Sequence, residues 1–255
     1  MKKFQILIFL MLAMASATNL SAKTLVVYYS YTGKCHQIVE TLLSQIEADT
    51  VRIYPADKTQ KYEANNYAIG TQLLNAIKAD PYNADSYPAI DPVEVSLADY
   101  DTYIIVTPLW WSQMAAILQT YLFHHGSEMA GKNVGLIVSS YSSGISGVVT
   151  DAKRLVPEAE WMSENLWINN ASHANRASKI QTWLETVDYQ TLVSPREPGD
   201  VNGDKSVDVA DVAVLIDHIL GKNPLPFYSN LANLNDDSKV DVADVTALIN
   251  IILGK

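Results

Sequence analysis

The chain is punctuated by short apolar runs without polar alternation, separated by longer stretches in which apolar residues recur every three or four positions. The first run, residues 24–29, reads Thr-Leu-Val-Val-Tyr-Tyr, the composition of a parallel strand covered by helices on both faces. Similar runs predict strands over residues 50–54, 102–107, 133–139 and 161–167, with helices over 34–46, 62–79, 113–124, 143–155 and 172–187. Strand and helix in alternation predict a doubly wound α/β domain with a five-stranded parallel sheet. Residues 80–92 carry Pro81, Asn83, Pro88 and Pro92 and read as an ordered surface loop.

Both ends of the chain break this pattern. Lys2 and Lys3 precede an apolar run over residues 4–14, followed by Ala15-Ser16-Ala17 and Ser21-Ala22; basic, apolar and small-residue regions in that order form a secretory signal peptide. The run is shorter than the roughly 20 residues of a transmembrane helix, so no membrane span is expected after cleavage. Cleavage is expected near Ala22, with Ala17 as the second choice. The expected division is a signal peptide over residues 1–22, an α/β domain over 23–190, a linker over 191–199 and a C-terminal module over 200–255. Export implies the periplasm, the cell surface or the medium.

The C-terminal module repeats itself with an offset of 33 residues, from Asp200-Val-Asn-Gly-Asp to Asn233-Leu-Asn-Asp-Asp, and matched residue types at a fixed offset mark a structural repeat. Each half continues into an apolar helix, predicted over residues 212–220 and 245–253, and ends in Gly-Lys. The net charge is -10, and half of it lies in this module, where nine Asp stand against four Lys. Without clustered Lys and Arg the chain is not expected to bind nucleic acid. Calcium takes six to eight oxygen ligands, and a loop with oxygen-bearing side chains at positions one, three, five, nine and twelve can surround it. Asp200, Asn202, Asp204, Asp208 and Asp211 fit that spacing, with the Ser206 carbonyl at position seven. Asn233, Asn235, Asp237, Asp241 and Asp244 fit it again, with the Lys239 carbonyl. The neutral Asn233 makes the second loop the weaker site. These duplicated loops, closing on Asp, resemble the type I dockerin family, a small all-α domain of EF-hand-like loops. That resemblance implies bound calcium and a cohesin-like protein partner, with Val209-Ala210 and Val242-Ala243 at the positions of partner choice.

Candidate chemistry in the α/β domain lies where strands end. Ser30, Tyr31, Thr32, Gly33, Lys34 and Cys35 fall where the first strand turns into the first helix, and hydroxyls, amides and a helix N-terminus there suit a phosphate dianion. Pro108, Leu109, Trp110 and Trp111 follow the third strand, and Ser140, Tyr141, Ser142, Ser143 and Gly144 follow the fourth. In an open α/β sheet such loops converge on the ligand, although the two Trp also fit ordinary packing. The segments 30–35 and 107–112 resemble the flavodoxin family, whose first loop reads Ser-x-Thr-Gly-x-Thr and whose third loop, in one branch, carries Pro-x-Trp-Trp. The resemblance covers residues 24–187 and implies strand order 2-1-3-4-5 and noncovalent FMN. The first loop would then hold the phosphate, and the third and fourth loops would border the ring. Cys35 stands where that family has Thr, and a thiol donates more weakly than a hydroxyl. Its place beside Lys34 and His36 at a helix start lowers a thiol pKa and would give a redox-sensitive thiol; the favoured reading is a buried, inert one. Cys35 is the only cysteine, which excludes an intrachain disulfide.

Three functions remain open on these residues. The first is an exported FMN electron carrier whose redox partner the sequence does not name. The second is an FMN-dependent quinone or nitro-compound reductase using a reduced nicotinamide, and the third is a flavin-free binding module displayed outside the cell.

Overall fold

The computed structural model describes residues 22–60, 67–194, 197–224, 226–235, 237 and 239–255. Apart from Ala22, the expected signal peptide lies outside the described residues, as does the start of the helix expected from residue 62.

Strand β1 (Thr24–Tyr28) is followed by helix α1 (Lys34–Leu43), β2 (Asp49–Arg52), α2 (Tyr67–Ala79), β3 (Thr102–Trp110), β4 (Gln113–Met114) and α3 (Ala116–His125). Then come β5 (Asn133–Ser140), α4 (Ser146–Leu155), β6 (Glu160–Trp161), β7 (Leu166–Asn169), α5 (Arg176–Thr186) and α6 (Tyr189–Val193). The parallel sheet runs β2-β1-β3-β5, with β6 and β7 both pairing alongside β5. The expected order 2-1-3-4-5 therefore holds, with the fifth place shared by two short strands instead of one over 161–167. Ser163, Glu164 and Asn165 interrupt it, and the Trp183 indole of α5 donates to the Glu164 carbonyl at 2.9 Å.

The unbroken apolar runs follow from burial on both faces. Leu25, Val27 and Tyr29 enter one core with α2, α3 and α4, whereas Val26 and Tyr28 enter the other with α1 and α5. Helix α3 is buried from Ala116 through Leu122, which explains its lack of a polar face. It starts three residues later than expected, because residues 113–114 form β4. The surface loop over residues 80–92 is ordered by a 3-10 turn at Ala84–Ser86 and by a bridge from Ile90 to Pro55. Residues 191–193 of the expected linker belong to α6, whose Tyr189 is buried and hydrogen-bonds Thr24 Oγ1 at 2.8 Å.

In the C-terminal module, α7 (Val209–Ile219) and α8 (Val242–Ile252) pack over a small core containing Val201, Leu215, Tyr228 and Leu248. Each helix begins three residues earlier than its apolar pattern suggests. Asp208 accepts from the Ala210 amide at 2.7 Å while Asp211 accepts from the Asp208 amide at 2.9 Å, a capping box. Asp241 and Asp244 repeat it, each at 2.8 Å.

A Cβ at Gly126, which ends α3, would lie 2.1 Å from the Leu155 carbonyl oxygen. Gly126→Ala should therefore lower stability by about 1–3 kcal/mol, the usual cost of overpacking, read as a lower denaturant midpoint with an unchanged slope.

Candidate functional site

A cleft of about 370 Å³ opens where β1, β3, β5 and β7 end, within the roughly 300–1,000 Å³ of small-molecule sites. Tyr31, Thr32, Lys34 and Cys35 line it from the first loop. Pro108, Leu109, Trp110 and Trp111 come from β3 and its turn, and Ser139, Ser140 and Tyr141 from the end of β5. All three expected segments thus meet at one place, joined by Gly70 of α2 and by Asn169, Asn170 and His173 beyond β7.

Helix α1 starts at Gly33, which adopts a left-handed conformation with φ of 84° and leaves the helix without a side-chain cap. The Ser30 hydroxyl instead reaches the His36 amide at 3.1 Å. Among the described residues the Lys34 and Cys35 amides have no acceptor, so the positive end of the helix dipole and two N–H donors remain for a ligand. The Arg52 guanidinium donates to the Ser30 carbonyl at 3.4 Å, placing a cation at the start of the first loop. Ser30 is itself buried; it and Gly33 shape the loop without lining the cleft.

Cys35 is buried at 1% exposure within the core formed by α1 and α5. Burial pushes its thiol well above the ordinary range, and a hydrogen bond with Ser139 opposes this only in part. The expected lowering by the helix start is overturned, because desolvation of a thiolate outweighs the dipole. The buried, inert reading stands.

The two tryptophans part company. Trp110 lies edge-on to Tyr29 and Tyr31, each with ring centroids 5.8 Å away, and packs on Gly70, where an added Cβ would be 3.4 Å from its ring. Trp111 is 57% exposed at the rim. Between them β3 turns back: Trp110 pairs with Gln113 and Leu109 with Met114, and the turn residues Trp111 and Ser112 have φ of 48° and 64°. Positive φ at both central residues is the signature of a type I′ hairpin, here built without Gly or Asn, which is why the sequence did not announce it. The strained turn is held from behind. Asp151 of α4 accepts from the Met114 amide at 3.0 Å, the Gln119 amide group donates to the Met114 carbonyl at 2.8 Å, and Arg154 links Gln119 Oε1 at 2.8 Å to Asp151 at 3.7 Å. Burial raises the Asp151 carboxyl above its ordinary pKa despite these partners.

Tyr141 is 80% exposed. The Trp167 indole fixes its loop by donating to Ser140 Oγ at 2.8 Å, which donates in turn to the Ser143 carbonyl at 2.8 Å. Ser142, Ser143 and Gly144 do not line the cleft. Asn169, Asn170 and His173 were absent from the expected site because the fifth strand was ended at residue 167, two short of its true end; the strand-end rule applied at Asn169 finds them.

In the C-terminal module, Asp211 and Asp244 are fully buried. Asp211 Oδ1 accepts from the Asn202 amide at 3.0 Å, and Asp244 Oδ1 from the Leu234 amide at 2.8 Å. Asp204 and Asp237 tie their loops through Ser206 and Lys239 amides at 2.8 and 2.7 Å. Among the described residues no three His, Cys, Asp or Glu side chains converge closely enough to hold a metal ion. Asn233 Oδ1 is nevertheless buried without a hydrogen-bond partner. An oxygen-rich loop with an orphaned carbonyl fits a hard cation in chemistry, with Asp208 and Asp241 serving as helix caps.

The family model for flavodoxin matches residues 23–187, nearly two thirds of the chain. This chain belongs to the flavodoxin family. The model for the dockerin type I domain matches residues 198–253, so the flavodoxin domain is followed by a dockerin type I domain. A candidate flavoprotein from Bacteroides eggerthii is 26% identical with a TM-score of 0.50, over 66% of this chain and 98% of its own. A second, from Bacteroides uniformis, is 27% identical with a TM-score of 0.50, over 63% of this chain and 99% of its own. No curated protein matches the chain significantly. Among the described residues no helix is long and apolar enough to cross a membrane.

The hairpin rests on α4 at Gly147, where a Cβ would fall 2.0 Å from the Ser112 carbonyl oxygen. Gly147→Ala should displace the Trp110–Trp111 turn, changing the near-ultraviolet circular dichroism and lowering stability by about 1–3 kcal/mol.

Proposed function

We propose that this chain is an exported FMN-binding redox protein that carries electrons, tethered through a calcium-loaded dockerin module to a cohesin-like partner. The observation that carries the first half is the uncapped start of α1 facing a cleft walled by Trp110, Trp111 and Tyr141. An anion-binding helix start next to flat aromatic walls matches a molecule that is phosphate at one end and a planar ring at the other. Bound FMN supplies the electron chemistry. The protein's residues do the rest: the Lys34 and Cys35 amides hold the phosphate, Lys34 neutralises it, and the clamped hairpin sets the ring wall. Lys34 offsets what Cys35 loses as a donor, since the loop now works through backbone amides and a cation instead of a hydroxyl. The 57% exposed Trp111 and 80% exposed Tyr141 leave the rim open to a partner, and the same opening admits a small quinone or nitro compound. Oxidation of a reduced nicotinamide with a quinone separates reductase from carrier.

FMN should quench tryptophan fluorescence on titration, and Trp110→Ala should weaken binding by about tenfold or more, the scale of a lost aromatic stacking contact. Folded protein that binds neither FMN nor riboflavin would sink the redox reading in favour of a flavin-free module.

Calcium has its own support in the buried Asp211 and Asp244 carboxylates, which accept from neutral backbone amides while a buried charge calls for an opposite one. Val209 and Val242, Ile216 and Ile249, and, just past the helix ends, Leu220 and Leu253 are all exposed at equivalent places along α7 and α8, a paired apolar surface of the kind a cohesin-like partner covers. Export rests on the leader over residues 1–22. Calcium should raise the unfolding temperature of the module, and Asp211→Asn should remove most of that gain. Because the second loop opens with neutral Asn233, calorimetry should resolve a tighter and a weaker site; equal stability with and without calcium would refute both.

A further inference from the structure

The cleft has one wall that the first, third and fourth strands do not supply. Beyond β7, Asn169, Asn170 and His173 share it with Thr32, Lys34 and Cys35. His173 is 7% exposed. Its Nε2 meets the Gln37 side-chain oxygen at 2.9 Å, which assigns the ring proton to Nε2 in the neutral form. Nδ1 has no hydrogen-bond partner among the described residues, and such a group gains by meeting a ligand.

The charges around this imidazole are one-sided. Lys34 of α1 and Arg176 of α5 act on it, and Arg176 is fixed by donating to the His173 carbonyl at 3.2 Å and to Thr41 Oγ1 at 2.8 Å. The remaining titratable neighbours in the cleft are the Cys35 thiol, kept neutral by burial, and the phenols of Tyr31 and Tyr141. No carboxylate lines the cleft among the described residues. Burial, Lys34 and Arg176 together hold His173 below the ordinary histidine pKa. A dianion placed among these groups reverses the electrostatic part of that effect, since an opposite charge favours the imidazolium.

We propose that His173 is a pH-dependent phosphate-binding residue, taking up a proton at Nδ1 when a phosphate dianion enters between it, Lys34 and the first turn of α1. The inference rests on reading the cleft as an FMN site and adds a partner from the fifth strand, outside the phosphate loop. The proton comes from solvent, Nε2–H keeps its bond to Gln37, and no covalent bond changes. The sign follows from linkage: the added attraction is present while the complex is protonated and is lost as pH rises through the imidazole pKa of the complex.

The test titrates FMN and riboflavin, which lacks the phosphate, into the full chain and into His173→Gln. The ratio of wild-type to variant FMN affinity should be near one at about pH 8 and rise as pH falls, approaching about tenfold once pH lies below the imidazole pKa of the free protein, the limit set by one unit of pKa shift. Riboflavin should show no such difference, and the phosphate's own titration cancels between the two proteins. In wild type, the His173 imidazole resonance should titrate at higher pH with FMN than with riboflavin, which tests the idea even if the variant does not fold. An FMN affinity ratio independent of pH, or an imidazole titration that FMN leaves in place, would overturn it. If neither flavin binds, the FMN reading fails by itself, and inorganic phosphate then decides: a raised His173 titration supports the phosphate site and an unmoved one rejects it.

Discussion

The cleft depends on a reversal in the sheet. From β1 the chain moves outward to β2 and then returns to the other side of β1 as β3, so the connections leaving β1 and β3 diverge to opposite faces. The two cores record this: α1 packs with one set of β1 side chains, and α3 and α4 pack with the other. Parallel pairing brings the C-terminal ends of β1 and β3 to one edge, with Tyr28 opposite Val106. A gap bounded by a helix start on one side and an aromatic turn on the other is therefore a product of topology. The residues needed only to be polar on the first loop and flat on the third.

Topology does not keep the turn in place. Trp111 and Ser112 both occupy the left-handed region, where a side chain crowds its own backbone and costs about 1–2 kcal/mol per residue. The turn persists because α4 reaches it twice, with Gly147 under the Ser112 carbonyl and Asp151 on the Met114 amide. Burying that carboxylate is unfavourable, as its raised pKa records. Leaving the Met114 amide unpaired in the core would be unfavourable too. Arg154 moderates the conflict by bridging Asp151 and Gln119 while taking the Tyr87 hydroxyl at 3.0 Å. The wall of the site thus inherits its rigidity from a polar ring buried behind it.

Legibility in the sequence followed burial. Residues 24–29, 102–107 and 133–139 declared themselves as strands because both faces are covered and no polar residue interrupts them, and their loops were found with them. Two features escaped. The hairpin at Trp111–Ser112 lacks the Gly or Asn that advertises a left-handed turn, so residues 113–115 read as helix. The fifth strand is broken by Ser163 to Asn165, so its end was misplaced and Asn169, Asn170 and His173 went unnoticed. Cys35 fits its favoured reading as a buried, inert thiol: its neighbours in sequence are cationic, but its neighbours in space are Ile38, Val39 and Leu42, and that second set decides the thiol's charge.

The C-terminal module makes the same point with carboxylates. Asp208 and Asp211 were both read as ligands from spacing, yet they hold different stations. Asp208 caps α7 and lies outside the buried set, whereas Asp211 is fully buried and ties the start of the helix to the loop through the Asp208 and Asn202 amides. Asp241 and Asp244 divide the work in the same way. Starting the helices at Val209 and Val242 places these valines at the first helical position, 75% and 68% exposed, beside the loops. A carboxylate that joins loop to helix would, in the proposed calcium-loaded form, couple the cation to the proposed docking surface: whatever neutralises Asp211 also fixes the turn of helix on which Val209 is displayed. Because the two halves share this arrangement at an offset of 33 residues, the module presents one kind of surface twice.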